Sequence, residues 1–300
     1  MTNITLTNES LLIVVDSDNG ASVLAFSVRR GGAWLPLTPE ARPGFLMIPY
    51  SNRIEHGRFT FDGVTYQLGN EANHAIHGDV RFRKWEIQAA SAVHLCCAIS
   101  SAAFADRNWP WPYDAAVEYR LLGNVFASRL LLWNRGETAM PAGFGWHPFY
   151  HRGLTRDGET VRLQMKVQAA YPDAHGNRIS SGPAEPVSTA QDFSLEKPLL
   201  PDHFLDTCFR GYDGRGHIAW PESGIKLSFR CSPACTHLVI YNPTGQPYFA
   251  VEPVTNANNG VNLHSQGDVG SGIVRPDSGV VRLLPGQSLE ATFEQQVEAL

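Results

Sequence analysis

Phe59-Thr60-Phe61-Asp62-Gly63-Val64-Thr65-Tyr66-Gln67-Leu68 consists of two short alternating runs joined by Asp-Gly. Asp-Gly suits a two-residue type I′ turn, whose twist matches that of the strands it joins. The turn sets Phe61 opposite Val64 and Phe59 opposite Tyr66, so the apolar and aromatic side chains share a face. The segment therefore predicts a β-hairpin, and the same period-two reading extends outward from it.

Upstream, Leu24, Phe26 and Val28 alternate and fall on one face of a predicted strand. Downstream, Val117, Tyr119 and Leu121 alternate up to a turn at Gly123-Asn124, and an apolar run from Val125 to Trp133 follows. Its core, Arg129 to Trp133, reads as a strand buried on both faces between packed sheets. Leu289, Ala291 and Phe293 alternate after a Pro285-Gly286 turn and predict a further strand. No amphipathic helix longer than about ten residues is visible. The best short-helix candidate is Thr189 to Leu195, with Ser188 as its cap.

The 27 glycines and 20 prolines are spread along the chain, so no linker divides it and no repeat period emerges. Residues 172–202, rich in Pro, Ser and Gly, predict a long surface excursion. Many short strands without helices predict an all-β fold, a large antiparallel β-sandwich. At 300 residues the chain reads as one domain spanning 1–300.

Composition narrows the function classes. With 24 Lys plus Arg against 29 Asp plus Glu, the chain has no field to capture nucleic acid or an anionic membrane. A small-molecule partner fits this balance, and a local basic pocket is compatible with it. The five cysteines, Cys96, Cys97, Cys208, Cys231 and Cys235, are odd in number and lack CxxC spacing. They read as reduced thiols of a cytoplasmic protein rather than a disulfide framework or a zinc site. The N-terminus lacks a basic n-region, and Leu11 to Val15 is too short for a signal core or a membrane span.

Three segments concentrate polar groups where the surroundings look structural. Asn52-Arg53-Ile54 and His77-Gly78 bracket the Asp-Gly hairpin, so Arg53 and His77 can be held over one sheet face. Arg53 offers a planar fork of donors to hydroxyl or carboxylate oxygens. Read bare, it is equally a surface ion-pair residue, and His77 a hydrogen-bonded structural histidine. Gly145-Trp146-His147-Pro148-Phe149 sets a histidine among aromatics, which suits a pyranose because aromatic faces cover its C–H faces. Pro148 keeps the His147 backbone extended. Phe249-Ala250-Val251-Glu252-Pro253 delivers a carboxylate at the end of an apolar strand, where desolvation raises its pKa toward general-base range. The plain alternatives are a buried structural histidine and a solvated glutamate. Asp206, inside the apolar run from Phe204 to Phe209, is either paired internally or directed at a ligand; as a ligand group it would close the opposite wall. No paired His spacing supports a metal site.

Together these segments resemble one known family. Asn52-Arg53-Ile54, then Gly57 and Phe59, then Gly63, Tyr66 and Leu68, then His77-Gly78, are similar to the N-terminal signature of aldose 1-epimerases (galactose mutarotases). The Gly145–Phe149 motif is similar to their central histidine motif. Leu205-Asp206 with Phe209 is similar to their substrate-aspartate motif, and Val251-Glu252-Pro253 with Thr255 to their catalytic glutamate motif. The order is that of the family, from about residue 20 to the end. Trp146 departs from it, standing where many relatives carry a smaller apolar residue.

The resemblance implies a galactose mutarotase-like supersandwich with an open sugar cleft. It also implies Glu252 as general base and His147 as general acid, with Arg53, His77, Asp206, Asn52 and Trp146 contacting sugar. Anomer interconversion needs only proton removal from the C1 hydroxyl and proton delivery to the ring oxygen, so no metal or other cofactor is expected. The expected partner is a monosaccharide, bound by a monomer or homodimer. Two rivals follow. A hexose-6-phosphate 1-epimerase would use the same pair and a cationic pocket, for which Arg81, Arg83 and Lys84 are candidates; otherwise these three form a solvated strand edge. A non-catalytic carbohydrate-binding protein would not need both His147 and Glu252. A polysaccharide lyase or hydrolase is disfavoured, since no paired carboxylates of glycosidase character stand out.

Overall fold

The computed structural model describes residues 2–266 and 275–300. Among these, most strands assemble into two large antiparallel sheets. One has nine strands, running Lys197–Pro198, Arg162–Met165, Arg215–Trp220, Ile225–Cys231, Ser288–Ala299, Val125–Asn134, Tyr113–Leu122, His94–Ser100 and Glu86–Ala90 across the sheet. The other runs Glu185–Pro186, Ala169–Ala170, Leu205–Arg210, His237–Asn242, Tyr248–Val254, Gly145–His147 and Phe45–Met47, with Phe149–His151 also paired to Tyr248–Val254. A four-stranded sheet over Asn3–Pro36, the hairpin of Arg58–Phe61 with Val64–Gln67, and a small sheet pairing Met140–Ala142 with the distant Val281–Leu283 complete the described strands. The expected antiparallel sandwich is what forms.

The decisive hairpin has the register read from its sequence: Phe59 pairs with Tyr66 and Phe61 with Val64. Asp62 and Gly63 both take positive φ (49° and 79°), as a type I′ turn requires. Phe59 stacks on Tyr66 at 5.4 Å and on Trp109 at 5.3 Å, which anchors the hairpin on the core. The Gly123-Asn124 hairpin also forms, with Leu122 opposite Val125.

Period-two alternation explains how the two large sheets meet. Phe249 and Val251, Leu238 and Ile240, Leu205 and Phe209, Leu46 and Trp146 all face the nine-stranded sheet. There they meet Leu130, Leu132, Ile218, Leu227 and Phe293 in one continuous core. Tyr150 crosses the interface, donating from its hydroxyl to Gln295 Oε1 at 2.7 Å. The residues one step out of phase, Phe45, Met47, Cys208, Val239, Tyr248 and Ala250, form a second cluster on the far face of the same sheet.

Three sequence expectations need correction. The Arg129–Trp133 run is not buried on both faces: Leu130 and Leu132 are buried, whereas Leu131 and Trp133 are half-buried and Arg129 is exposed. Arg129 pairs with Glu290 on the neighbouring strand at 2.7 Å, and Arg135 lies over the Trp133 ring, so long charged side chains cover that outer face. Leu24 does not share the face of Phe26, because the register slips between Val14 and Val15 and leaves Leu24 as the extra residue of a bulge. Thr189–Leu195 is not a helix. One turn closes, with Gln191 and Asp192 donating to the Ser188 carbonyl, before Phe193 is drawn into the core and its carbonyl accepts from Met165 N. The α-helix of the described residues lies instead at Gly260–Gln266, and none is long and apolar enough to cross a membrane.

Candidate active site

Because side chains alternate, the strand that buries Phe249 and Val251 must turn Glu252 to the opposite face. By the same parity His147, Asp206, Tyr241 and Phe45 face the same way. These residues, with Arg42, Asn52, Arg53, His77, Arg81, Phe149 and Arg178, line one cleft on that face. The structure thus brings together six of the seven site residues expected from sequence.

Glycine sets the spacing at its floor. A Cβ on Gly145 would stand 2.4 Å from Val254 Cγ1, and one on Gly143 would stand 2.0 Å from Asn256 Oδ1. Bare backbone at these positions lets the His147 strand approach the Glu252 strand, where Gly145 pairs with Val254. His147 Nε2 then lies 3.1 Å from Glu252 Oε1, and both side chains are almost fully buried. Glu252 Oε2 is buried with no hydrogen-bond partner among the described residues. The Phe45 ring stacks on the imidazole at 4.4 Å, with Phe149 at 4.5 Å, fixing its plane.

Burial disfavours charge on both groups. It brings His147 down to about 3, helped by the nearby Arg81 and Arg53 charges. It pushes Glu252 well above the carboxylate range, with Asp206 adding repulsion and Arg53 opposing it. Burial thus favours the uncharged form of each group, an imidazole beside a carboxylic acid.

The walls are built by the segments flanking the hairpin. His77 N donates to the Asn52 carbonyl at 2.7 Å, and Ile54 N to the His74 carbonyl at 2.8 Å, so the two flanks are tied together. Arg81 Nη1 donates to His77 Nδ1 at 3.0 Å. A guanidinium has no acceptor, so the His77 ring proton resides on Nε2. Burial, reinforced by His147, Arg81 and Arg53, keeps His77 well below its ordinary value and neutral. Arg53 Nη1 donates to Asn52 Oδ1 at 3.2 Å and stands 3.9 Å from Asp206 Oδ2. Asp206 accordingly stands beside Arg53 and does not close the opposite wall.

The Asn-rich run after Glu252 has a structural role. Asn258 Oδ1 accepts from Arg53 N at 3.3 Å and Asn259 Oδ1 from Glu55 N at 3.0 Å, while Asn258 Nδ2 donates to the Arg178 carbonyl. It clasps together the loops that carry Arg53 and Arg178.

Trp146 is the site residue the structure does not bring in. One residue from His147 on a strand, it must face the other way; its indole packs 5.7 Å from Phe293 between the sheets. The cavity beside it, lined by Phe26, Phe126 and Phe293, has a volume of about 30 Å³, too small for a sugar. Two of the three basic residues considered for a phosphate pocket are also placed elsewhere, and the segment is a turn rather than a strand edge. Arg83 is bound to Asp79 and Asp106 at 2.6 and 2.8 Å, and Lys84 pairs with Asp18 at 3.5 Å. Arg81 alone enters the cleft. Sequence reasoning missed Arg42, Tyr241 and Arg178. Arg178 Nε lies 3.3 Å from Asp206 Oδ2, yet its loop carries no motif that marks it.

Comparison with known proteins bears on the family and the fold. A family model described as aldose 1-epimerase matches residues 2–293. The chain is 24% identical to the uncharacterized protein YphB of Escherichia coli K12, over 100% of both chains. It is 26% identical to the aldose 1-epimerase of E. coli K12 over 71% of this chain and 66% of that one. Among solved structures it is similar to a putative aldose 1-epimerase from E. coli K12, with a TM-score of 0.83 and 22% identity over 100% and 99% of the two chains. A galactose mutarotase-like protein from Clostridium acetobutylicum gives a TM-score of 0.82 at 16% identity, over 99% and 95%.

Proposed function

The chain belongs to the aldose 1-epimerase family, and from that premise we propose that it interconverts the α and β anomers of an aldose by acid–base catalysis at His147 and Glu252. The observation that carries this reading is the 3.1 Å contact between His147 Nε2 and Glu252 Oε1 at the floor of a polar cleft.

Ring opening breaks the C1–O5 bond. The carboxylate of Glu252 takes the proton from the C1 hydroxyl while the imidazolium of His147 gives one to the ring oxygen. An aldehyde results, and the pair still holds one proton, now on Glu252. Rotation about C1–C2 presents the other face of the aldehyde. Reclosure runs the same transfers backward, with Glu252 as acid and His147 as base. Burial favours the neutral pair, so the charged form used in opening is reached by one proton hop across the 3.1 Å contact. The unpartnered Oε2 of Glu252 is suited to accept a sugar hydroxyl.

Arg53, His77, Asn52 and Asp206 would hold the remaining hydroxyls. Arg53 and His77 Nε2 offer donors, and Asp206 offers an acceptor steadied by two guanidiniums. Holding the open chain in place keeps the aldehyde and its hydroxyl within reach for reclosure. A carbohydrate-binding protein without catalysis is the competing reading. Measuring anomer exchange with and without the protein separates them, since a binding module leaves the exchange rate of bulk sugar unchanged.

A further inference from the structure

The cleft holds more positive charge than a neutral sugar needs. Four arginines and two carboxylates line it. Asp206 serves Arg53 and Arg178, at 3.9 and 3.3 Å. Glu252 is held toward its neutral form by burial. Arg42 and Arg81 remain, and neither forms an ion pair among the described residues.

What positions these two cations is aromatic surface rather than counter-charge. The Arg81 guanidinium carbon lies 3.8 Å from the Phe45 ring centroid, and that of Arg42 lies 4.8 Å from the Tyr248 centroid. They are near enough for the Arg42 charge to disfavour the charge on Arg81, second only to burial. The neighbouring residues show the contrast. Arg83 has two carboxylates and Lys84 has one, whereas Arg81, in the same turn, has none and points into the cleft. One of its five N–H groups goes to His77, which leaves a fork free for an oxyanion.

The position fits a substituent on a bound sugar. Phe45 contacts both Arg81 (3.8 Å) and the His147 ring (4.4 Å), so the guanidinium lies within about 8 Å of that ring. Substituents of a single pyranose can bridge that span. We propose that the substrate is an aldose bearing an anionic group (phosphate, sulfate or carboxylate), and that Arg42 and Arg81 form the subsite for its oxygens. This rests on the mutarotase reading and narrows its substrate class.

The test compares each anionic sugar with its neutral parent: glucose 6-phosphate and glucose 6-sulfate against glucose, and galacturonate against galactose. Exchange NMR gives kcat/KM, and titration calorimetry gives Kd on the same pairs. At least one anionic sugar should exceed its parent about tenfold or more in both, equivalent to about 1.4 kcal/mol. Added salt should shrink the advantage. In the R42Q/R81Q double variant, shown to be folded by its melting temperature, the anionic-to-neutral ratio should fall about tenfold. The single variant R42Q, at an exposed position, should lower it in part if the double variant does not fold. Equal or tighter binding of every neutral parent, or an unchanged ratio in the folded variants, overturns the subsite. If no sugar is turned over yet the calorimetric ratio holds, the reaction fails and the subsite stands. Turnover of neutral sugars with no anionic advantage gives the reverse.

Discussion

Replacing Glu252 with glutamine removes the proton carrier while keeping its shape, and the structure sets the size of the effect. In ring opening His147 must become an imidazolium at a site that brings it from 6.5 to about 3. Charging it there without a counter-ion costs about 5 kcal/mol. The Glu252 carboxylate, 3.1 Å away, offsets that cost, and a glutamine amide does not. Losing the offset corresponds to roughly 10³–10⁴ in rate. Glutamine still reaches His147 Nε2, so folding stability should change by no more than about 1.5 kcal/mol, the net value of one hydrogen bond. KM should change little, because an amide oxygen still accepts a sugar hydroxyl. The assay is exchange NMR at saturating aldose, with urea unfolding alongside. A kcat within tenfold of wild type, in a variant of unchanged stability, would refute the reasoning.

Gly145→Ala should drive a methyl into Val254 and push the His147 and Glu252 strands apart. It should cost about 1–3 kcal/mol in urea unfolding and lower kcat even where the protein stays folded; unchanged stability would show that the close approach is dispensable. Asp206→Ala and Arg53→Ala should each raise KM about tenfold, or about 1.4 kcal/mol, measured by initial rates. Arg178→Ala should have a smaller effect, since its side chain is half exposed. Buried His237, whose ring bonds the Asp277 carbonyl at 2.9 Å, is lowered to about 4 in the fold. Between pH 4 and 6.5 the unfolded chain binds a proton there that the native state does not, so stability falls as pH falls through that window. His237→Gln should remove up to about 1.4 kcal/mol per pH unit from that slope, read from unfolding at stepped pH; an unchanged slope would contradict the assignment.

Much of this architecture is legible in the sequence because it depends on local rules. Asp62-Gly63 dictates its turn, and the turn dictates the Phe59–Tyr66 register. Parity within a strand is equally local, and applying it to Gly145-Trp146-His147 would have kept Trp146 out of the cleft once His147 was placed in it. The remaining misses are non-local. Whether Leu131 and Trp133 are covered depends on Arg129 finding Glu290, 161 residues away. Thr189–Leu195 is denied a helix by the pull of Phe193 into the core, which outweighs the propensity of a short, weakly patterned segment. Arg42 and Arg178 lie in loops without periodicity, and only the folded chain shows that they end beside Tyr248 and Asp206.

The central claim is that His147 and Glu252 move protons for an aldose ring, and anomer exchange tests it most directly. NMR exchange between the α and β signals of free and phosphorylated aldoses should accelerate in proportion to added protein and return to the buffer rate in the folded E252Q variant. Exchange at the buffer rate for every aldose in the panel, with folded wild-type protein present, would contradict the account.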